Sequence, residues 1–111
     1  MNIEITDHKG NKVIAVSGDI DMYSSPALRK ELLSLIDKKA ANLLVDLSRV
    51  SYIDSSGIAT FVEGLKMMKA GGYGGRLKLI GMPEGIMEIF RFSKLDNIFE
   101  IYGNVDDALN S

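Results

Sequence analysis

The chain of 111 residues contains no cysteine, which excludes disulfides, thiolate metal sites and cysteine nucleophiles. It has one histidine, His8, leaving almost no material for a zinc site or a Ser-His-Asp triad. A basic excess is missing too. Lys plus Arg is 13 against 15 for Asp plus Glu, a net charge of −2, whereas nucleic-acid binders concentrate positive charge on one face. Apolar runs are short: Leu43-Leu44-Val45 falls far below the roughly 20 residues of a membrane span. The Met1-Asn2-Ile3-Glu4 start lacks the basic-then-apolar pattern of a secretory signal. There is no internal repeat. With 46% apolar and 25% charged residues, the composition is that of one compact domain, expected to be cytoplasmic and not a conventional hydrolase.

Alternation at Ile3 and Ile5, then a β-rich run over Val13 to Ser17, predicts two strands joined by a hairpin turn at residues 8–12. Ser24 or Ser25 followed by Pro26 reads as a helix start, and Leu28, Leu32, Leu35 and Ile36 recur at helical spacing. Leu43 to Leu47, interrupted only by Asp46, predicts a strand covered on both faces. A second helix is expected to open at Ser55-Ser56, with Ile58, Phe61, Val62, Leu65 and Met68 on its core stripe. Ser56, Thr60, Glu63 and Met67 are expected on the other side. Residues 71–75, Gly-Gly-Tyr-Gly-Gly, stop that helix; they lack the Gly-Lys-Ser/Thr ending of a phosphate loop. A strand at Leu77 to Ile80, a helix opened by Pro83 with Ile86, Ile89 and Phe90 on one side, a strand at Ile98 to Tyr102 and a helix at Val105 to Leu109 follow. The order β-β-α-β-α-β-α-β-α predicts an α/β layer with a mixed sheet of about five strands and about four helices.

The unusual stretch is Tyr52-Ile53-Asp54-Ser55-Ser56-Gly57, which follows a buried strand and opens an amphipathic helix. Capping of free backbone N–H groups explains one Asp or Ser there. It does not explain two adjacent serines, nor a first-turn glycine that costs roughly 1 kcal/mol against alanine. The missing side chain at Gly57 is read as room for another molecule to approach the backbone. Asp19, Asp21, Asp46 and Asp54 offer a different reading, a magnesium-binding pocket of the receiver-domain kind. The hairpin start and the lack of an adjacent acidic pair near the N-terminus argue against it.

Residues 54–59, Asp-Ser-Ser-Gly-Ile-Ala, after Leu44-Val45-Asp46-Leu47, resemble the signature of bacterial anti-sigma factor antagonists, the free-standing members of the STAS domain family. Residues 18–21, 95–102 and 106–109 resemble the family's first loop, last strand with its lead-in, and terminal helix. The resemblance implies the STAS fold. It also implies a protein that binds an anti-sigma factor which is itself a serine kinase, thereby freeing a sigma factor. The first serine of the motif, here Ser55, would take the phosphate that ends binding, and a PP2C-type phosphatase would remove it. Asp19, Asp21, Asp54, Ser55, Ser56, Gly57, Ile58 and Ile89 would form the contact surface, with no cofactor, metal, nucleic acid or membrane involved and a monomer when free. A non-switching scaffold in a larger assembly is the alternative within the same family.

Overall fold

The computed structural model describes residues 1–111. Two strands, β1 (Asn2–His8) and β2 (Asn11–Ile20), form the leading hairpin. Lys9 and Gly10 turn the chain with φ of +56° and +86°, the left-handed pair a two-residue hairpin requires. There follow α1 (Ser25–Asp37), β3 (Asn42–Ile53), α2 (Ser55–Gly71), β4 (Arg76–Ile80), α3 (Glu84–Phe92), a 3-10 turn at Leu95–Asn97, β5 (Glu100–Tyr102) and α4 (Val105–Leu109). The five strands lie in sequence order, β1 antiparallel to β2 and all later neighbours parallel. The element order and the five-strand, four-helix composition agree with the expectation from the sequence.

The sheet separates two cores by its period-two alternation. Ile14, Leu43, Val45, Leu77 and Leu79 join Leu28, Leu32, Phe61, Met68, Ile86 and Phe90 of α1, α2 and α3 in the larger one. Val13, Leu44 and Ile80 point the other way, against Ala108 of α4. Lys78 shares that second face and is 1% exposed. Its ammonium donates to the Ala108 carbonyl at 2.5 Å and to Ser111 Oγ at 3.0 Å, and lies 5.5 Å from the centroid of the Tyr102 ring.

Several boundaries differ from the sequence reading. β3 runs through Ile53 and not only to Leu47, because Val50 and Ile53 face the core while Ser48, Arg49, Ser51 and Tyr52 stay exposed. β2 likewise continues through Gly18 and Asp19, so residues 18–20 belong to a strand and not to a loop. Between Ala15 and Ser17, and again between Gly18 and Asp19, β3 takes one residue more than β2, which bends the pair. The last strand starts at Glu100, since residues 95–97 form the 3-10 turn. Thr60 is buried, contrary to the helical-wheel expectation: α2 packs against the sheet with one side and against α1 with another. Met67 is exposed and Met68 buried, as expected.

Candidate functional site

Asp54, Ser55, Ser56 and Gly57 turn the chain from β3 into α2. Asp54 is the N-cap: its Oδ1 accepts from the Ser56 amide at 2.9 Å, the Gly57 amide at 3.3 Å and the Ser56 hydroxyl at 2.5 Å. These bonds hold the Asp54 carboxyl below the usual carboxylate range. The Ser56 hydroxyl lowers it most, against a smaller opposing effect of desolvation, and the Gly57, Ser56 and Met22 amides add to the lowering. Asp54 is therefore ionised at neutral pH.

The two serines are not equivalent. Ser56 is half-buried; its hydroxyl donates to Asp54 and accepts from Ser25 Oγ of α1 at 3.2 Å. Its carbonyl accepts from the Thr60 hydroxyl at 3.0 Å. Ser55 is exposed at the first position of α2, and its hydroxyl has no protein partner within hydrogen-bond distance. One serine is structural. The other is exposed and unbonded.

Gly57 has a different reason from the one read in the sequence. A Cβ there would lie 2.7 Å from Ile20 Cγ2 and 2.7 Å from Ile53 Cγ1, both core atoms. The space its missing side chain leaves is occupied from inside the protein, and no outside molecule is needed to account for it.

The β2–α1 connection is braced beside this turn. Asp21 Oδ1 accepts from the Tyr23 amide at 2.9 Å and the Ser24 amide at 3.0 Å. The Ser24 hydroxyl accepts from the Asp21 amide at 2.9 Å and donates to the Asp19 carbonyl at 2.8 Å. Ser24 precedes α1 but makes no side-chain cap, since its hydroxyl faces back into the loop; Ser25 is the first helical residue. The Asp54 amide donates to the Ile20 carbonyl at 3.1 Å, joining loop and turn. Asp19 is exposed and sits opposite Tyr52 in the strand register.

Ile58 is half-buried against the main core. Ile89 is half-buried on α3 and lines a groove with Tyr52, Ile53, Pro83 and Ile86. Asp46 stands apart, with its Oδ1 accepting from the Ser48 amide within β3 at 2.9 Å. No three acidic or histidine side chains gather closely enough to hold a metal ion, so the receiver-type pocket does not form. The sequence reading missed three exposed side chains bordering the site: Met22, Tyr23 and Tyr52, which are 65%, 87% and 52% exposed. Their signal was available, as apolar residues in turn and strand-end positions without helical or strand periodicity.

Fold and site together define a small mixed-sheet α/β domain that presents a free serine on the first turn of a helix, framed by carboxylates. Residues 2–108 match the family model of the STAS domain, and the chain belongs to that family. It is 35% identical over 101 residues to the anti-sigma-B factor antagonist of Bacillus subtilis (strain 168), covering 91% of this chain and 90% of that protein. The anti-sigma-B factor antagonist of Listeria monocytogenes is 32% identical over 111 residues, covering 99% of this chain and 95% of its own. The crystal structure of an anti-sigma factor antagonist from Mycobacterium paratuberculosis superposes with a TM-score of 0.88 at 27% identity, covering 98% of this chain and 91% of that one. No helix is long and apolar enough to cross a membrane.

Proposed function

We propose that the protein is an anti-sigma factor antagonist, a binding switch and not an enzyme. It engages an anti-sigma factor that is also a serine kinase, and so releases a sigma factor. Phosphorylation of Ser55 ends the engagement and a PP2C-type phosphatase restores it. The observation that carries the reading is the contrast between the free, exposed Ser55 hydroxyl and the Ser56 hydroxyl tied to Asp54 and Ser25. The contact surface combines Asp19, Asp21, the Asp54–Gly57 turn, Ile58 and Ile89, to which Met22, Tyr23 and Tyr52 are added for their exposure beside it.

Phosphate on Ser55 brings about −1.5 to −2 charge to a helix N-terminus, where the dipole and free amides favour an anion by roughly 0.3–1 kcal/mol. The fold therefore tolerates the modification. Against a like charge of a partner ~6 Å away, at an effective dielectric of ~20–80, each added charge opposes binding by about 0.7–3 kcal/mol. A steric clash in a packed interface adds to this. Since about 1.4 kcal/mol is tenfold in affinity, the switch needs no unfolding.

The test is incubation with ATP and the serine kinases of the source organism, with fragmentation mass spectrometry to locate the phosphate and Ser55→Ala as control. Phosphate on Ser55 with loss of the bound kinase supports the switch; an unmodified protein in an intact complex refutes it and leaves the scaffold role. Ser55→Asp is expected to weaken kinase binding by about tenfold or more. Its melting temperature should stay within about 2 °C of the parent, since an acidic residue suits the first turn. Loss of folded structure in that variant would refute the mechanism.

A further inference from the structure

Between α1 and the C-terminal half of α2, away from the Ser55 turn, runs an open groove of about 580 Å³. That size falls in the range of small-ligand sites. Leu33, Ile36, Met67 and Tyr73 provide its apolar surface. The glycine-rich connector after α2 explains the far wall. The Tyr73 ring sits so close to Gly75 that a Cβ there would lie 2.5 Å from it, and a Cβ at Gly71 would lie 3.1 Å away. Its hydroxyl donates to the Ala40 carbonyl at 3.0 Å, beyond the end of α1. The wall is thus fixed by the protein itself before any ligand arrives. Met67, 49% exposed, supplies a flexible thioether that adapts to an alkyl chain.

Charge selects the occupant. Arg29, Lys30 and Lys39 border the groove against a single carboxylate, Asp37, in a chain whose net charge is −2. Arg29 is engaged by Glu63 of α2 in a bidentate pair, with Nη2 to Oε1 at 2.6 Å and Nε to Oε2 at 2.9 Å. Lys30 and Lys39 are exposed and take no part in the chain's four ion pairs. An apolar floor with free ammonium groups at its margin complements a molecule with an alkyl body and an anionic head. We infer that the α1–α2 groove is a binding site for a single-chain anionic amphiphile, a long-chain carboxylate, whose chain lies along Leu33, Met67 and Tyr73 and whose head meets Lys30 or Lys39. The inference is independent of the Ser55 reading.

The probe is dodecanoate, kept below its micellar concentration and titrated into the full ¹⁵N-labelled chain. Saturable shifts are expected at the amides of Leu33, Met67, Gly71 and Tyr73, with a dissociation constant at or below about 1 mM. Dodecyltrimethylammonium, with the same chain and the opposite charge, should bind at least about tenfold more weakly. Lys30→Glu/Lys39→Glu and, separately, Met67→Asp alter only exposed side chains, and each should weaken dodecanoate at least about fivefold. The absence of saturable shifts, equal binding of both amphiphiles, or unchanged affinity in these variants would overturn the assignment. So would movement of the same amides with protein concentration alone, which would mark the groove as a contact between copies.

Discussion

Replacing Gly57 by alanine adds one methyl group at the third residue of α2. In an unobstructed helix that change is favourable by up to roughly 1 kcal/mol. Here the new carbon would meet Ile20 Cγ2 and Ile53 Cγ1, each at 2.7 Å, and Ile53 Cδ1 at 3.1 Å. Both isoleucines are at most 3% exposed and close-packed, so neither moves without displacing further core atoms. Overpacking of this kind costs typically ~1–3 kcal/mol. Subtracting a helix gain of about 1 kcal/mol leaves a net loss of up to about 2 kcal/mol, which for a domain of this length lowers the melting temperature by up to about 8 °C. Gly85 provides the control, since it lies in the first turn of α3 with nothing within 4 Å of its would-be Cβ. Gly85→Ala should therefore raise the melting temperature by a few degrees, about 0.4–1 kcal/mol in stability. Thermal unfolding followed by circular dichroism measures both. A Gly57→Ala protein stabilised as much as Gly85→Ala would refute the account of Gly57 as a core-imposed residue, and the reading of its bare backbone as a docking feature would return.

Lys78→Met tests the buried ammonium. Burial is the chief reason its pKa falls below the ordinary lysine range, with Arg76 adding to the effect and Glu100 opposing it. With the folded-state pKa below the unfolded one, the unfolded chain binds more protons between the two values, so stability rises with pH across that window, up to about 10.4. Urea unfolding at successive alkaline pH values should show this rise in the parent and lose Lys78's share of it in Lys78→Met; identical slopes would refute it. In Ser56→Ala, the largest cause of the low Asp54 pKa is removed, so the carboxyl should titrate at higher pH by ¹³C NMR; an unmoved Asp54 would mean that the backbone amides alone hold it. Tyr73→Phe removes the hydroxyl bond to Ala40 and is expected to cost about 0.5–1.5 kcal/mol in urea unfolding; an unchanged midpoint would refute a structural role for that bond.

Periodic elements were legible in the sequence and tertiary accommodations were not. The helix at Val105–Leu109 and the opening of α2 at Ser55 fall where hydrophobic spacing and capping chemistry place them. The far half of β3 was obscured because pairs of exposed residues separate Val50 and Ile53, a spacing that neither a continuous apolar run nor strict alternation matches. Thr60 looked outward because a helical wheel assumes one buried face, whereas α2 has neighbours on two sides. The division of labour between Ser55 and Ser56 rests on which hydroxyl turns back to Asp54 and meets Ser25, 31 residues away, a choice that two adjacent serines do not reveal. Tyr73 stood out as an aromatic within a glycine loop, but its partner Ala40 could only be found from the fold.

β3 pairs with β4 only over Asn42–Asp46, while its pairing with β2 continues to Ile53. Beyond Asp46 the strand therefore leaves the sheet interior and proceeds as half of a two-stranded ribbon, and the Ser55 turn hangs from the end of that ribbon. Opening the ribbon breaks one ladder where opening the sheet centre breaks two. What backbone pairing gives up along the ribbon, packing supplies at its tip, since Ile20, Val50 and Ile53 are all buried in the main core. The Ser55 turn is thus a projecting edge of the sheet whose position is set by side chains beneath it and not by a second strand beside it.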